Sequence, residues 1–277
     1  MKYSLYAVLL ATLLFSCKSK TTETNNDSVT VAAAPLDPTD SLIQKFKPII
    51  QGVWVKSDYI KKVIVTYSPV AAADKAVGIT IIRIDTTQIK GDKLVANAGY
   101  NNHEGGDVTI KFRPGQTPGT IQIDSSELGY SVENGDTVLV LTEINEAHDK
   151  VVTRFIKALN KADEKLGDGM DFLINKSLFS GSYILTDSIG RVRNVTFTDD
   201  GKVSGIKGLR TYYAMTDFIV GPMNNLDLLI FNLYAKDQTD YSFKITGETL
   251  KLYNTKPTAD SAELVVDKLI YTLVRTK

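Results

Sequence analysis

Side chains with reactive chemistry are few: one cysteine, Cys17, and two histidines, His103 and His148, in 277 residues. A thiol can serve as nucleophile, metal ligand or attachment point, and an imidazole among carboxylates can bind a metal or move protons. The stretch "NNHEGGDV" (101–108) sets His103 close to Glu104 and Asp107. Its Asn-Asn and Gly-Gly flanks are turn formers, so it reads as an exposed hairpin loop. "TEINEAHDK" (142–150) groups Glu143, Glu146, His148 and Asp149 between two expected strands, and reads as a solvated connection. "TDDGK" (198–202) lacks the further ligands and downstream Glu of a calcium loop, so Asp200-Gly201 is expected to make a tight turn. "GKVSGIKG" (201–208) has no Gly-Lys-Ser/Thr for a phosphate loop, and no Gly-x-Ser-x-Gly elbow occurs. The expectation is a protein without a catalytic site, metal or cofactor.

An aromatic and methionine-rich stretch remains, "LRTYYAMTDFIVGPMNN" (209–225). Tyr212, Tyr213, Met215 and Phe218 can line or cover an apolar ligand pocket. The same side chains are ordinary core fillers, and both readings stand at this point.

The elements that carry these residues are mainly strands. Val, Ile, Thr and Tyr are concentrated in runs such as "VGITIIRID", "DTVLVLTE", "LDLLIFNLY" and "DKLIYTLVR". The runs recur between turn signals at Asn134-Gly135, Asp200-Gly201 and Thr246-Gly247. Helical periodicity is found only at about 41–50 and 159–178. Lys+Arg and Asp+Glu both number 32, and without a basic excess the chain is not expected to bind nucleic acid.

The strand-rich part also repeats itself. "GVWVKSDYIKKV" (52–63) aligns with "GSYILTDSIGRV" (181–192), matching Gly52, Trp54 and Asp58 to Gly181, Tyr183 and Asp187. "YSVENGDTVLVLTE" (130–143) aligns with "YSFKITGETLKLYNT" (241–255), and "KVVTRFIK" (150–157) with "KLIYTLVR" (268–275). Leu42-Ile43-Gln44-Lys45 stands before the first copy as Leu173-Ile174-Asn175-Lys176 stands before the second. Four matches in one order imply two copies of one domain, 41–158 and 159–277. Each would be a short helix followed by an antiparallel up-and-down β-barrel of about eight strands. A β-sandwich is the alternative, since periodicity alone does not separate the two.

At the N-terminus, Lys2 precedes an apolar run, Leu5–Phe15, about half the roughly 20 residues needed to span a bilayer. It reads as a signal peptide, residues 1–16. Leu14-Phe15-Ser16-Cys17 resembles the lipobox of bacterial lipoproteins. The resemblance implies cleavage before Cys17 and a lipid on its thiol, which anchors the protein to the cell envelope. Residues 17–40, "CKSKTTETNNDSVTVAAAPLDPTD", bury too little apolar surface to order themselves and read as a flexible tether.

Each repeat in turn resembles the lipocalin-like (calycin) domains of lipoproteins from Bacteroidetes-type bacteria. The likeness lies in Gly52-Val53-Trp54 and Gly181-Ser182-Tyr183, in the hairpins at 135–139, 197–205 and 247–250, and in closing strands that carry Lys157 and Arg275. It implies that the first-strand aromatic packs on a basic residue of the last strand: Trp54 with Lys157 or Arg154, and Tyr183 with Arg275. Tyr183 and Lys157 depart from the tryptophan and arginine of that pattern. The resemblance further implies an outer-membrane lipoprotein that binds a small apolar ligand in a barrel. An accessory protein docking on another envelope protein is the alternative. Lys18 and Lys20 follow Cys17 where surface-exported relatives carry acidic residues, which favours the periplasmic face.

Overall fold

A computed structural model describes residues 37–162, 165–187, 189–219 and 223–276. Cys17, the expected leader and nearly all of the expected tether lie outside the described residues.

The first eight strands follow one another as neighbours. They are β1 (Gly52–Lys56), β2 (Ile79–Ile84), β3 (Lys93–Tyr100), β4 (Glu104–Pro114), β5 (Ile121–Ile123), β6 (Ser126–Glu133), β7 (Asp136–Ile144) and β8 (Lys150–Leu159). β8 returns to pair antiparallel with β1, which closes a barrel and leaves no open edge. Tight turns set the register. Between β6 and β7, Asn134 (φ 52°) and Gly135 (φ 90°) both adopt the left-handed conformation that a two-residue hairpin with matching twist requires.

The second eight strands are β9 (Gly181–Asp187), β10 (Val192–Phe197), β11 (Val203–Ser204), β12 (Tyr212–Ala214), β13 (Leu228–Phe231), β14 (Thr239–Thr246), β15 (Thr249–Pro257) and β16 (Leu264–Arg275). They form one antiparallel sheet in the order β11-β10-β9-β16-β15-β14-β13-β12. β16 pairs with β9 as β8 does with β1. The break in the ring falls between β11 and β12, where a single Lys202↔Thr211 bridge joins the end strands.

Helix α1 (Pro38–Ile50) begins inside the segment expected to be tether. Asp37 caps it, its carboxylate accepting from the Thr39 amide at 2.7 Å. Helix α3 (Asp168–Ile174) runs into a wide π-type turn, Asn175–Phe179, before β9. A third helix, α2 (Ser57–Thr66), lies where the sequence reading has none. Tyr59, Ile60 and Val63, buried at helical spacing, drive it. In its counterpart in the repeat alignment, residues 186 and 187 instead end β9 and residue 192 begins β10. The likeness of 57–63 to 186–192 is therefore one of sequence and not of structure.

Two apolar clusters hold the described residues together as one compact unit. One fills the barrel and includes Phe46 and Ile50 of α1 with Trp54, Phe112 and Phe155. The other fills the second sheet and continues through α2 and α3 to the outer face of β1. β1 is consequently buried on both sides: Trp54 points into the barrel, while Val53 and Val55 belong to the second cluster. Gly169 makes that approach possible, since a β-carbon there would lie 2.5 Å from Val53 Cγ1.

Candidate functional site

The same closing device is built twice. Trp54 and Lys157 stand opposite each other on β1 and β8, so their side chains share a face. The Lys157 amine lies 4.6 Å from the Trp54 ring centroid and donates to the Ile49 carbonyl at 3.3 Å. Burial lowers the Lys157 pKa. The Trp54 indole donates to the Ile50 carbonyl at 2.7 Å, satisfying a C-terminal carbonyl of α1. In the second unit Tyr183 faces Arg275 across β9 and β16, with the guanidinium carbon 5.2 Å from the ring. The Tyr183 hydroxyl donates to the Phe179 carbonyl at 2.6 Å. Arg275 donates to the Leu178 carbonyl (2.9 Å), the Ser180 carbonyl (3.0 Å) and the Tyr183 hydroxyl (2.7 Å). Arg154, the other basic residue considered for Trp54, is bonded to Glu133 at 3.0 Å near the surface.

The barrel interior is filled by side chains, whereas the inner face of the second sheet keeps a pocket of about 380 Å³ at one end, lined by Leu185, Asp187, Arg193, Ile206 and Tyr271. Trp54, Ile82, Phe112, Leu139 and Phe155 are 0 % exposed, which leaves no space the size of a water molecule beside them. Tyr212 belongs to the second filling: its ring packs edge-on against Phe179 and Phe197, and its hydroxyl donates to the Thr198 carbonyl at 2.6 Å.

Open space lies between the two β units. A cleft of about 620 Å³ is walled by the β3–β4 turn, residues 165–171, and the strand and loop around β12. A neighbouring cavity of about 460 Å³ shares Asp168, Asp171, Tyr213 and Leu233 with it. Tyr213 and Met215 are half-buried in the cleft wall, whereas Phe218 is half-buried and lines neither space. Of the four aromatic-stretch residues, three thus reach a cavity: Tyr212, mostly taken up in the core, borders the 460 Å³ one, Met215 the 620 Å³ cleft, and Tyr213 both.

His103 joins them from the other unit. The turn is confined to residues 101–103, with Asn101 (φ 57°) and Asn102 (φ 55°) left-handed, while Glu104 to Asp107 already belong to β4. His103 Nδ1 lies 2.6 Å from Asp217 Oδ2 across the cleft mouth, and the bond and charge of Asp217 raise the histidine pKa. Asn102 Nδ2 donates to the Thr216 carbonyl at 3.4 Å beside it.

The most perturbed group in the cleft is Asp171. Burial, and then the charge of Asp168, pushes its carboxyl up to about 7. Among the described residues its side chain has no hydrogen-bond or ion-pair partner, whereas Asp168 accepts from the Lys165 amide at 2.8 Å. Three further polar atoms nearby are buried without partners, the Tyr59 hydroxyl, Asn102 Oδ1 and, on the wall of the 460 Å³ cavity, Asn175 Oδ1. Burial raises the Tyr59 pKa; the neighbouring Asn102 pulls it back, yet no bond of ordinary geometry joins the two. Asp168, Asp171 and Asp217 are absent from the sequence-derived candidates. One signal was available for Asp171: a carboxylate set between Met170 and Ile174, which are both buried.

Fold and site together define a mostly antiparallel β protein with a closed eight-stranded barrel, a second eight-stranded sheet and an acidic, aromatic cleft between them. The chain matches no known family model and no curated protein sequence.

Proposed function

We propose that the chain is an envelope lipoprotein, anchored through Cys17 to the outer membrane on its periplasmic side, that holds a small molecule without transforming it. Two tandem lipocalin-like domains, 41–158 and 159–277, would form its body, with the ligand seated between them. The lipobox resemblance supports the anchor, and the twice-built aromatic–cation closure supports the tandem reading. One observation carries the binding reading: the closed barrel is packed solid, while an open cleft of about 620 Å³ carries Tyr213 and Met215 on its wall. Clefts of that size suit small ligands. The seat proposed is thus outside the closed barrel.

The test is native mass spectrometry of the full chain, extracted in non-ionic detergent from the cells that produce it, before and after unfolding. An extra mass lost on unfolding, and missing from a Met215→Trp variant that fills the cleft, is expected. An extra mass that survives the Met215→Trp change would put the ligand elsewhere, and a bare polypeptide mass would remove the reading. In that last case the weight passes to a docking role, favoured by Val265, Val266 and Leu269, all exposed on β16.

A further inference from the structure

We infer that the cleft between the two β units takes an organic cation, a small molecule carrying a protonated amine on an apolar or aromatic body. This rests on the binding reading above and adds the charge and shape of the ligand. Asp171 carries the argument furthest. Its carboxyl stands half-buried on the wall common to both cavities and has no donor among the described residues. A desolvated carboxylate without donors is unfavourable, and an ammonium group in the cleft would supply both donors and charge.

A second observation is independent of charge. Asn175, one turn along from Asp171 and 3 % exposed, is part of the wall of the neighbouring 460 Å³ cavity and has an Oδ1 with no donor. Buried polar atoms are nearly always paired, so an unsatisfied acceptor bordering a cavity marks where a ligand's N–H group would bond.

The field of the cleft has the matching sign. Four carboxylates, Glu104, Asp168, Asp171 and Asp217, line it against Lys165 and His103. His103 is already committed to Asp217. Tyr213 puts an aromatic side chain on the wall, and Met170 and Met215 offer soft apolar contact for the rest of the molecule. No group of three or more metal-ligating side chains occurs among the described residues, which points to an organic cation over a metal ion.

Because Asp171 titrates near neutrality, cation affinity should rise as it ionises, from about pH 6 to about pH 8. The other titratable groups on the walls are Lys165, Asp168, His103, Glu104, Asp217 and Tyr213, with exposed Tyr234 at the rim. His103 loses its charge as the pH climbs past its raised pKa and would steepen the same rise. The assignment to Asp171 therefore depends on its own variant.

The experiment titrates the full chain in non-ionic detergent with three probes of similar size: 2-phenylethylammonium, neutral 3-phenylpropanol and anionic 3-phenylpropionate. Binding is followed by calorimetry and ligand-observed NMR. The ammonium should bind most tightly and the propionate least, and Asp171→Asn should weaken the ammonium about tenfold or more while leaving the propanol unchanged. Equal binding of ammonium and propanol, tighter binding of propionate, or an Asp171→Asn variant that keeps full ammonium affinity would each overturn the inference. Should that variant not fold, a flat ammonium affinity of the native chain from about pH 6 to about pH 8 overturns the inference as well. Failure of the ammonium while native mass spectrometry reveals a neutral or anionic adduct removes this inference alone. Its failure together with a bare mass removes the binding reading too.

Discussion

The two β units solve the same closure problem with unequal means. In the barrel, β3 and β4 pair over eight residues, from Lys93↔Lys111 to Tyr100↔Glu104, so the ring is continuous. At the equivalent place in the second sheet, β11 has two residues and β12 three, and two bonds flank the bridge there: Val203 N to Arg210 O and Tyr212 N to Gly201 O, both 2.8 Å. The cation that closes each unit compensates in reverse. Lys157 makes one 3.3 Å bond, whereas Arg275 makes three between 2.7 and 3.0 Å. Where backbone pairing is complete, a point charge over a ring is enough. Where it is thin, the planar fork of arginine ties helix end, strand and tyrosine together.

The sharpest way to break this comparison is at the paired glycines. A β-carbon on Gly52 (φ +119°) would lie 2.3 Å from the Leu159 carbonyl oxygen, whereas on Gly181 (φ +148°) it would meet only the Arg275 side chain, at 3.6 Å. Gly52→Ala should cost about 3 kcal/mol or more and Gly181→Ala about 1 kcal/mol, measured by denaturant unfolding. Equal losses would mean that the two strand starts do not differ as described.

Next come the cations. Arg275→Ala strands two carbonyls and a tyrosine hydroxyl and should cost about 2–3 kcal/mol, against about 1 kcal/mol for Lys157→Ala. A reversed order would show that the barrel, not the second sheet, depends on its closing pair.

A third test concerns the helices before each unit, in which Asp171 occupies the place that exposed Asp40 has in α1. Burial raises the folded-state pKa of Asp171 to about 7, above the unfolded value of about 3.9. Between those values the folded chain holds a proton that the unfolded chain has released. Asp171 therefore adds stability at the acid end, and this is lost as pH rises through about 7. Asp171→Asn should flatten the fall in Tm over that range, by a few degrees, with Asp40→Asn as the baseline. His103 contributes a fall of the same sign, present in both variants. The smallest effect is local. The Val203 and Tyr212 amides at the seam should exchange hydrogen at least about tenfold faster than those of Leu94 and Ala96 in β3, without any change in global stability.

Much of the β framework was legible because its signals are local or directly cross-strand. Asn134-Gly135 specifies a hairpin by its own backbone preference, and Trp54 and Lys157 face each other once β1 and β8 are neighbours. Helix α2 was hidden because "SDYIKKVIVT" is rich in β-branched residues and resembles a hairpin in the other copy. Its helicity comes from burying Tyr59, Ile60 and Val63 in a core assembled largely from the distant half of the chain. The cleft was hidden for the same reason. His103 meets Asp217 across 114 positions, and no spacing rule links a turn of the barrel to a loop of the second sheet.

Helix α1 has a mechanical consequence. Its Phe46 and Ile50 sit in the barrel core, and the carbonyls of Ile49 and Ile50 are gripped by Lys157 and Trp54. A pull on the chain ahead of Pro38 therefore enters the fold through a wedged helix and not through a strand edge. Strands peel one hydrogen bond at a time, but a wedge must drag its aromatic and aliphatic side chains out together, so the load is borne in shear by the whole first unit.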